Sequence, residues 1–520
     1  MDVIAVGKSG VGIRHDVNAL AKVNALAKAQ RTKGLSVVSR INANFGSGST
    51  PSQTADTFAL TMRILHVNLT GKQLVSVAPV YAHYGPAGGT EANTGQDWKV
   101  KGAIEPTSGD QTKRSEVLCA GRTTMQLDRR AVLVCDEVSV NIADDGSVFE
   151  RTGVTTTGAN GAIGRHQIAR GGTSAIAANT GEGSDSSDRV MGTTASTENA
   201  SPGYSCSIML GRCDDSFVAR SLALIGDSTF VGTDDQEFGT NAGGWGARAA
   251  ANWPGGNLAI AGEKLQNAID PNTFRTRSKL LWWHTDALDG YLINDVTQGR
   301  TVAQMKADIL AMAYSVMSVG INYIKGTCLP LTDSTNGWFD VAGQTVRANE
   351  ANRVGINQWL RDTTATGFVA QANAQVADIP SAGVARVLDP CAFFEVNASD
   401  VLTLDGGFIQ GAQSAVLFSR TATSATTTVI TDSGASYTTN ALRGNVVHIL
   451  SGTGAGQVRS IQANTATTIT VGLAFSTAPD ATSVYRIYDG NTIDGTHPST
   501  GGSARIAAGC LPLIDAMMVL

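Results

Sequence analysis

Three side chains in this chain have the types and setting that nucleophilic catalysis requires. Ser228 follows Gly226-Asp227 at the end of the mostly apolar run Ser221-Leu222-Ala223-Leu224-Ile225. Five residues without Gly or Pro read as a short buried strand. The glycine then allows a sharp turn, and the serine lands at the strand's C-terminal edge, where ligands bind in open α/β sheets. A serine there is either a helix cap or a nucleophile. A hydroxyl is a poor nucleophile until a base takes its proton, and that base needs a carboxylate to fix its tautomer. Asp494-Gly495-Thr496-His497-Pro498 supplies both groups, three residues apart, in a loop just before a helix-like tail. Asp-x-x-His alone occurs by chance. Paired with Gly-Asp-Ser in an α/β pattern, it points to a catalytic triad. His284 is a rival base and ranks lower, because Leu281 rather than an acid sits three residues before it.

These residues resemble the SGNH, or GDSL-type, hydrolases, a family named for a Ser, a Gly, an Asn and a His. The remaining two follow in the right order. Gly262 ends Asn257-Leu258-Ala259-Ile260-Ala261-Gly262, read as a strand followed by Gly, and Ile293-Asn294-Asp295 matches the end of the family's Gly-x-Asn-Asp motif. Leu292 departs from the pattern, standing where the family usually has Gly. The resemblance covers roughly residues 217–403 and 489–520. It implies an α/β fold of the SGNH (flavodoxin-like) type, a three-layer arrangement around a parallel sheet. It also implies ester hydrolysis through an acyl-enzyme. Ser228 would attack, His497 would act as base, and Asp494 would orient the imidazole. The oxyanion hole would be the backbone N–H groups of Ser228 and Gly262 with the side-chain amide of Asn294. Asp227 and Asp295 are read as structural, holding turns. No Gly-x-Ser-x-Gly elbow surrounds Ser228, which argues against an ordinary α/β-hydrolase. No metal motif is present, and neither a metal nor a cofactor is expected. Val6-Gly7-Lys8-Ser9 looks like the end of a P-loop, but Asp2 stands where that motif needs Gly.

The elements that must position these groups follow from composition and pattern. With 520 residues the chain can hold two or three domains. Hydrophobic content of 42% with 16% charge is globular, and 58 glycines suggest many turns and β structure. The net charge of −5 without a basic block gives no nucleic-acid footprint. No apolar run approaches a membrane span. Seven scattered cysteines include no Cys-x-x-Cys pair. They read as small buried hydrophobes, with Cys206–Cys213 and Cys119–Cys135 as alternative pairs. Met1-Asp2-Val3-Ile4 lacks a basic n-region and a long apolar stretch, so it does not read as a signal peptide.

Five segments are expected. Residues 1–54 are a helical segment and linker, with the repeat Val17–Lys28 and the Gly46–Pro51 stretch. Residues 55–216 are a β-sandwich, with Asp144-Asp145-Gly146-Ser147 as a hairpin turn and a long polar stretch after residue 152. Residues 217–403 are the first part of the hydrolase. There Thr233–Glu237 is a solvated loop, Leu280-Leu281-Trp282-Trp283 a strand, and Val302–Val316 a helix. Residues 404–488 are a small all-β insertion of Thr-rich alternating runs, and 489–520 complete the hydrolase. Some bacterial and phage SGNH proteins carry a similar sandwich, and Gly454–Tyr488 resembles small β modules of phage tail proteins. The substrate expected is an ester, first an O-acetylated polysaccharide. A general carboxylesterase or lipase-like enzyme, and a non-catalytic glycan-binding tail component, stay open as alternatives. So does a homo-oligomer. A virion-associated or extracellular location without a leader would fit, and location is otherwise open.

Overall fold

The strand that leads to Ser228 belongs to a parallel sheet. In the computed structural model, Leu222–Ile225, Asp286–Asp289, Asn322–Gly326 and Ala385–Leu388 lie side by side in that order, every pair parallel. The structure describes residues 34–41, 44–49, 60–87, 89–92, 97–107, 111–156, 164–167, 180–182, 190–191, 204–215, 217–233, 235, 244–270, 273–335, 343–395, 416–443, 445–488, 490–492 and 494–519. The expected Val17–Lys28 helix lies outside them.

All four residues of Leu222–Ile225 are buried, which is why the strand reads as an unbroken apolar run rather than an alternating one. On its outer side the chain from Asn257 to Ile260 runs alongside without forming a regular strand. It bridges Leu224 at Asn257, and Leu258 N and Ile260 N donate to Leu224 O and Gly226 O at 2.8 and 3.0 Å. The order therefore reverses at the first strand, between the Asn257 segment on one side and Asp286–Asp289 on the other. Such a switch point opens a crevice at the strands' C-terminal ends.

Helices make the crossovers. Val302–Met317 starts at a capping box, in which Thr301 Oγ1 accepts from Gln304 N and Gln304 Oε1 accepts from Thr301 N. Its buried face, Met305, Ile309, Met312, Ala313 and Val316, follows the helical spacing of the sequence. Glu350–Arg361 and Phe368–Gln375 precede the last strand. The C-terminal helix, Thr500–Val519, is long and apolar enough to cross a membrane, contrary to expectation from the sequence. Here it buries Ile506, Cys510, Ile514 and Met518 against the body, and its Asp515 accepts from Trp253 Nε1 at 2.7 Å.

Several expectations need correction. Leu280 and Leu281 end a helix, Arg275–Leu281, and the strand comes later, at Asp286–Asp289. A four-residue apolar run fits a buried helix face as well as a strand. Residues 46–49 of the expected Gly46–Pro51 linker end a strand, Asn44–Ser49, which pairs antiparallel with Gly164–Gln167, and upstream of it Leu35–Val37 pairs antiparallel with Ile208–Cys213. The Asp144–Ser147 turn forms but closes no hairpin. Val138–Ile142 before it pairs with Leu74–Ala82, whereas Ser147–Thr156 after it pairs with Leu60–Val67 and Trp98–Pro106. Asp235 is not solvated. It is buried, with Arg248 donating to both carboxylate oxygens at 2.7 Å.

Two antiparallel sheets precede the parallel sheet in the chain. One runs Met125–Leu127, Trp98–Pro106, Ser147–Thr156, Leu60–Val67, Thr180–Glu182; the other runs Leu35–Val37, Ile208–Cys213, Leu74–Ala82, Val132–Val134. Tyr81 of the second sheet donates to Glu150 of the first at 2.9 Å. Their apolar interior, with Val77, Trp98 and Val154, is continuous with the core around the parallel sheet. A separate core, with Ile430, Val447, Ile469 and Tyr485, belongs to the seven-stranded Thr-rich sheet of residues 416–488. All seven cysteines are free thiols, and all but Cys119 are buried.

Candidate active site

Ser228 opens a four-residue helix, Ser228–Val231, directly after the first parallel strand. The capping role open to a serine here belongs to Asp227, whose Oδ1 accepts from Thr229 N and Thr229 Oγ1 at 3.0 Å each. Gly226 has no positive φ. It is needed because a Cβ there would lie 2.9 Å from the Phe230 ring, and Gly246 and Gly290 close on the same ring. The small residue thus lets the turn after the strand fold back over Phe230, which leaves Ser228 at the crevice.

His497 reaches that serine across 269 positions of sequence, with Nε2 2.7 Å from Ser228 Oγ. Its Nδ1 lies 2.7 Å from Asp494 Oδ2. The loop is rigidly built. Asp494 Oδ1 accepts from the backbone amides of Thr496 and His497 at 2.8 Å each, which leaves Oδ2 for the imidazole. Arg347 donates to Asp494 O at 2.6 Å and to Thr496 Oγ1 at 2.5 Å, and Thr332 N donates to Gly495 O at 3.0 Å. Burial pushes the Asp494 carboxyl up, but the hydrogen bond and charge of His497, with the two loop amides, outweigh it and hold the pKa below the usual carboxylate range. Asp494 is therefore an anion at neutral pH. That fixes the proton on Nδ1 and leaves Nε2 to accept from Ser228.

The other two motif residues meet on the opposite side. Ile260, beside Gly226, leads into Gly262, which adopts φ +77°. Asn294 Nδ2 donates to Glu263 O at 3.0 Å, tying its amide to the Gly262 loop. Among the described residues, the backbone N–H groups of Ser228 and Gly262 have no acceptor. Free donors at such a place suit an oxyanion. Asp295 accepts from Leu265 N and Gln266 N at 2.9 and 3.3 Å, a bracing role. Leu292, the departure from the family pattern, is fully buried with φ +134°, a backbone region that favours glycine. The loop keeps the glycine conformation without the glycine.

His284 is not a second base. It is fully buried, with Nδ1 3.1 Å from Leu280 O and Nε2 accepting from Gly256 N at 3.1 Å.

Sequence reasoning missed the residues that hold these loops. Arg277 is fully buried and donates to both oxygens of Glu263, at 2.8 and 2.6 Å, and to Leu258 O at 2.9 Å. Glu91, from the antiparallel sheet region, accepts from Arg277 Nε at 3.3 Å and from Thr276 N at 2.8 Å. Next to it, Gly89 packs so closely on Gly262 that a Cβ would sit 2.6 Å from Gly262 O. Lys325, also fully buried, donates to Asp289 Oδ1 at 2.5 Å and Tyr291 O at 2.9 Å, anchoring the turn before Asn294. A lone buried Arg or Lys leaves no periodic signal in a sequence.

Asp227 offers a pH test. Its Oδ2 is buried and without a hydrogen-bond partner among the described residues. Burial lifts its carboxyl to about 6, against the pull of the Thr229 bonds and His497. The folded-state value lies above the unfolded one, so the folded state holds the proton more tightly. Its contribution to stability is whole below about pH 4 and is lost as pH rises through about 6. Asp227→Asn should therefore gain on the wild type by about 3 kcal/mol between pH 4 and pH 8. Urea unfolding of both proteins at the two pH values measures this, and a difference that stays constant with pH contradicts it.

No family model matches this chain, and no curated protein does. Among solved structures, it is similar to a GDSL-like lipase from Bacteroides thetaiotaomicron, with 12% identity over 37% of this chain and 81% of that one, at a TM-score of 0.23. It is also similar to a salicylyl-acyltransferase from a tetracycline biosynthetic pathway, with 10% identity over 64% and 70% of the two chains, at a TM-score of 0.23. A peptidoglycan O-acetylesterase matches at 9% identity over 66% and 81%, with a TM-score of 0.22.

Proposed function

We propose that the chain is a serine ester hydrolase of the SGNH type that removes small acyl groups, acetyl first, from an acylated carbohydrate. The relay from Asp494 through His497 to Ser228, with two contacts of 2.7 Å, carries this reading. Ser228 Oγ attacks the acyl carbonyl as His497 Nε2 takes its proton. The carbonyl oxygen, now negative, is met by the N–H groups of Ser228 and Gly262 and the remaining N–H of Asn294. Collapse expels the alcohol, which takes the proton back from His497. Water then repeats the sequence on the acyl-enzyme and releases the carboxylic acid.

The carbohydrate half of the proposal draws on the surrounding β modules. The Thr-rich sheet delivers the chain straight into the catalytic loop: its last strand is Val484–Tyr488, and Asn445 Oδ1 accepts from Gly490 N at 3.2 Å. Whatever that sheet holds lies in direct continuity with Asp494 and His497. The test is a series of chromogenic esters of rising acyl length, alongside acetate release from an O-acetylated polysaccharide. We expect the acetyl ester to be cleaved fastest and polysaccharide acetate to be released. Preference for long acyl chains would favour a lipase-like enzyme, and glycan binding without turnover a binding module.

A further inference from the structure

The two antiparallel sheets enclose a polar cluster that ester hydrolysis does not use. His66 comes from Leu60–Val67, Glu150 from Ser147–Thr156, and Cys206 lies just ahead of Ile208–Cys213. All three are buried, at 2%, 0% and 0% exposure. One imidazole nitrogen, one carboxylate oxygen and the thiol sulfur lie within 4.8 Å of one another, with His66 Nε2 3.9 Å from Cys206 Sγ. A tetrahedral zinc with bonds of about 2.0–2.3 Å sets its ligand atoms about 3.3–3.8 Å apart, so small side-chain movements close this site.

Each group is already oriented by a neighbour. His66 Nδ1 lies 2.9 Å from Ser39 Oγ. With the proton on Nδ1, Nε2 carries the free lone pair, the usual arrangement of a metal-bound histidine. Glu150 Oε1 accepts from Tyr81 OH at 2.9 Å and from the Thr152 hydroxyl. Glu150 Oε2 is buried with no well-formed hydrogen bond among the described residues, although the Cys206 backbone N–H lies close enough to the carboxyl to act on it. A buried carboxylate oxygen without a well-formed hydrogen bond demands an explanation. A divalent cation supplies one, since a thiolate and a carboxylate carry two negative charges and the imidazole none. The filled cluster is then neutral.

We propose that His66 Nε2, Cys206 Sγ and Glu150 Oε2, with a water molecule as fourth ligand, bind a zinc ion that pins the two sheets together. The mixed nitrogen, sulfur and oxygen donor set suits zinc and excludes the all-oxygen preference of calcium and magnesium. Binding replaces the thiol proton, which leaves to solvent, and involves no change of oxidation state. Because two ligands come from strands of one sheet and the third from the segment leading into the other, the ion enters as the sheets close. This departs from the expectation, drawn from the sequence, of no metal.

The test uses the full chain, free of any affinity tag and produced with zinc in the medium. Elemental analysis should find about one zinc per chain in the wild type. Cys206→Ser and His66→Gln should lose it, while Cys510→Ser, a buried cysteine far from the cluster, should keep it. Should the ligand variants fail to fold, the wild type decides alone. Refolded with cobalt in place of zinc, it should show a thiolate-to-cobalt absorption band that zinc then abolishes. A wild type with neither zinc nor that band overturns the proposal, as does zinc that persists in Cys206→Ser. Neither result bears on Ser228.

Discussion

Ser228→Ala is expected to lower kcat on an acetyl ester by roughly 10⁵- to 10⁶-fold, with KM close to that of the wild type. The serine oxygen makes its decisive interaction only as it bonds to the carbonyl, so kcat and kcat/KM should fall together. His497→Ala should cost about as much. The double variant should be little worse than either single one, because the two side chains act as one unit. Asp494→Asn should cost roughly 10⁴-fold, since an amide donates to Nδ1 and forces the wrong imidazole tautomer. Its neutral loop bonds can survive, because Asn still offers an Oδ1 to the amides of Thr496 and His497. Initial rates for the four proteins, each checked for folding by circular dichroism, measure this set. Full activity in Ser228→Ala would end the assignment.

Arg277→Met should destabilise the protein by about 3–5 kcal/mol, the usual cost of removing one partner from a buried charge network. Burial opposes the Arg277 charge, but Glu263 and Glu91 outweigh it and hold its pKa above the ordinary value. Without the guanidinium, two buried carboxylates face each other with no cation between them. Leu258 O loses a donor as well. Adding Glu91→Gln and Glu263→Gln to Arg277→Met should recover part of the loss, because the repulsion disappears with the charges. Urea denaturation of the three proteins tests this, and a loss below about 1 kcal/mol for the single variant would place the network in solvent rather than in the core. Glu263 follows Gly262 directly, so surviving Arg277→Met protein should also show a lower kcat with less change in KM.

The candidate site residues could be picked out of the sequence because each sits in a short local pattern. Ser228 ends an apolar run with Gly-Asp before it. Asp494 and His497 lie three apart, a spacing that one turn of loop closes through backbone amides. The helix Val302–Met317 announced itself by its period. What failed was of two kinds. Short apolar runs without a period, such as Leu280–Trp283, fit helix and strand equally. Turn signals such as Asp144–Ser147 specify a bend but not which strands flank it, so the link between two sheets looked like a hairpin.

Local patterning therefore singled out the candidate groups and the strand end at which Ser228 stands. Only the folded chain decided that His497 meets Ser228, that Glu91 and Gly89 brace the Gly262 loop, and that Leu292 holds a glycine's backbone angle. The physical reason is range. Capping, turns and periodic burial act within a few residues, whereas a buried ion pair or a 2.7 Å contact between residues 228 and 497 depends on where whole sheets come to rest.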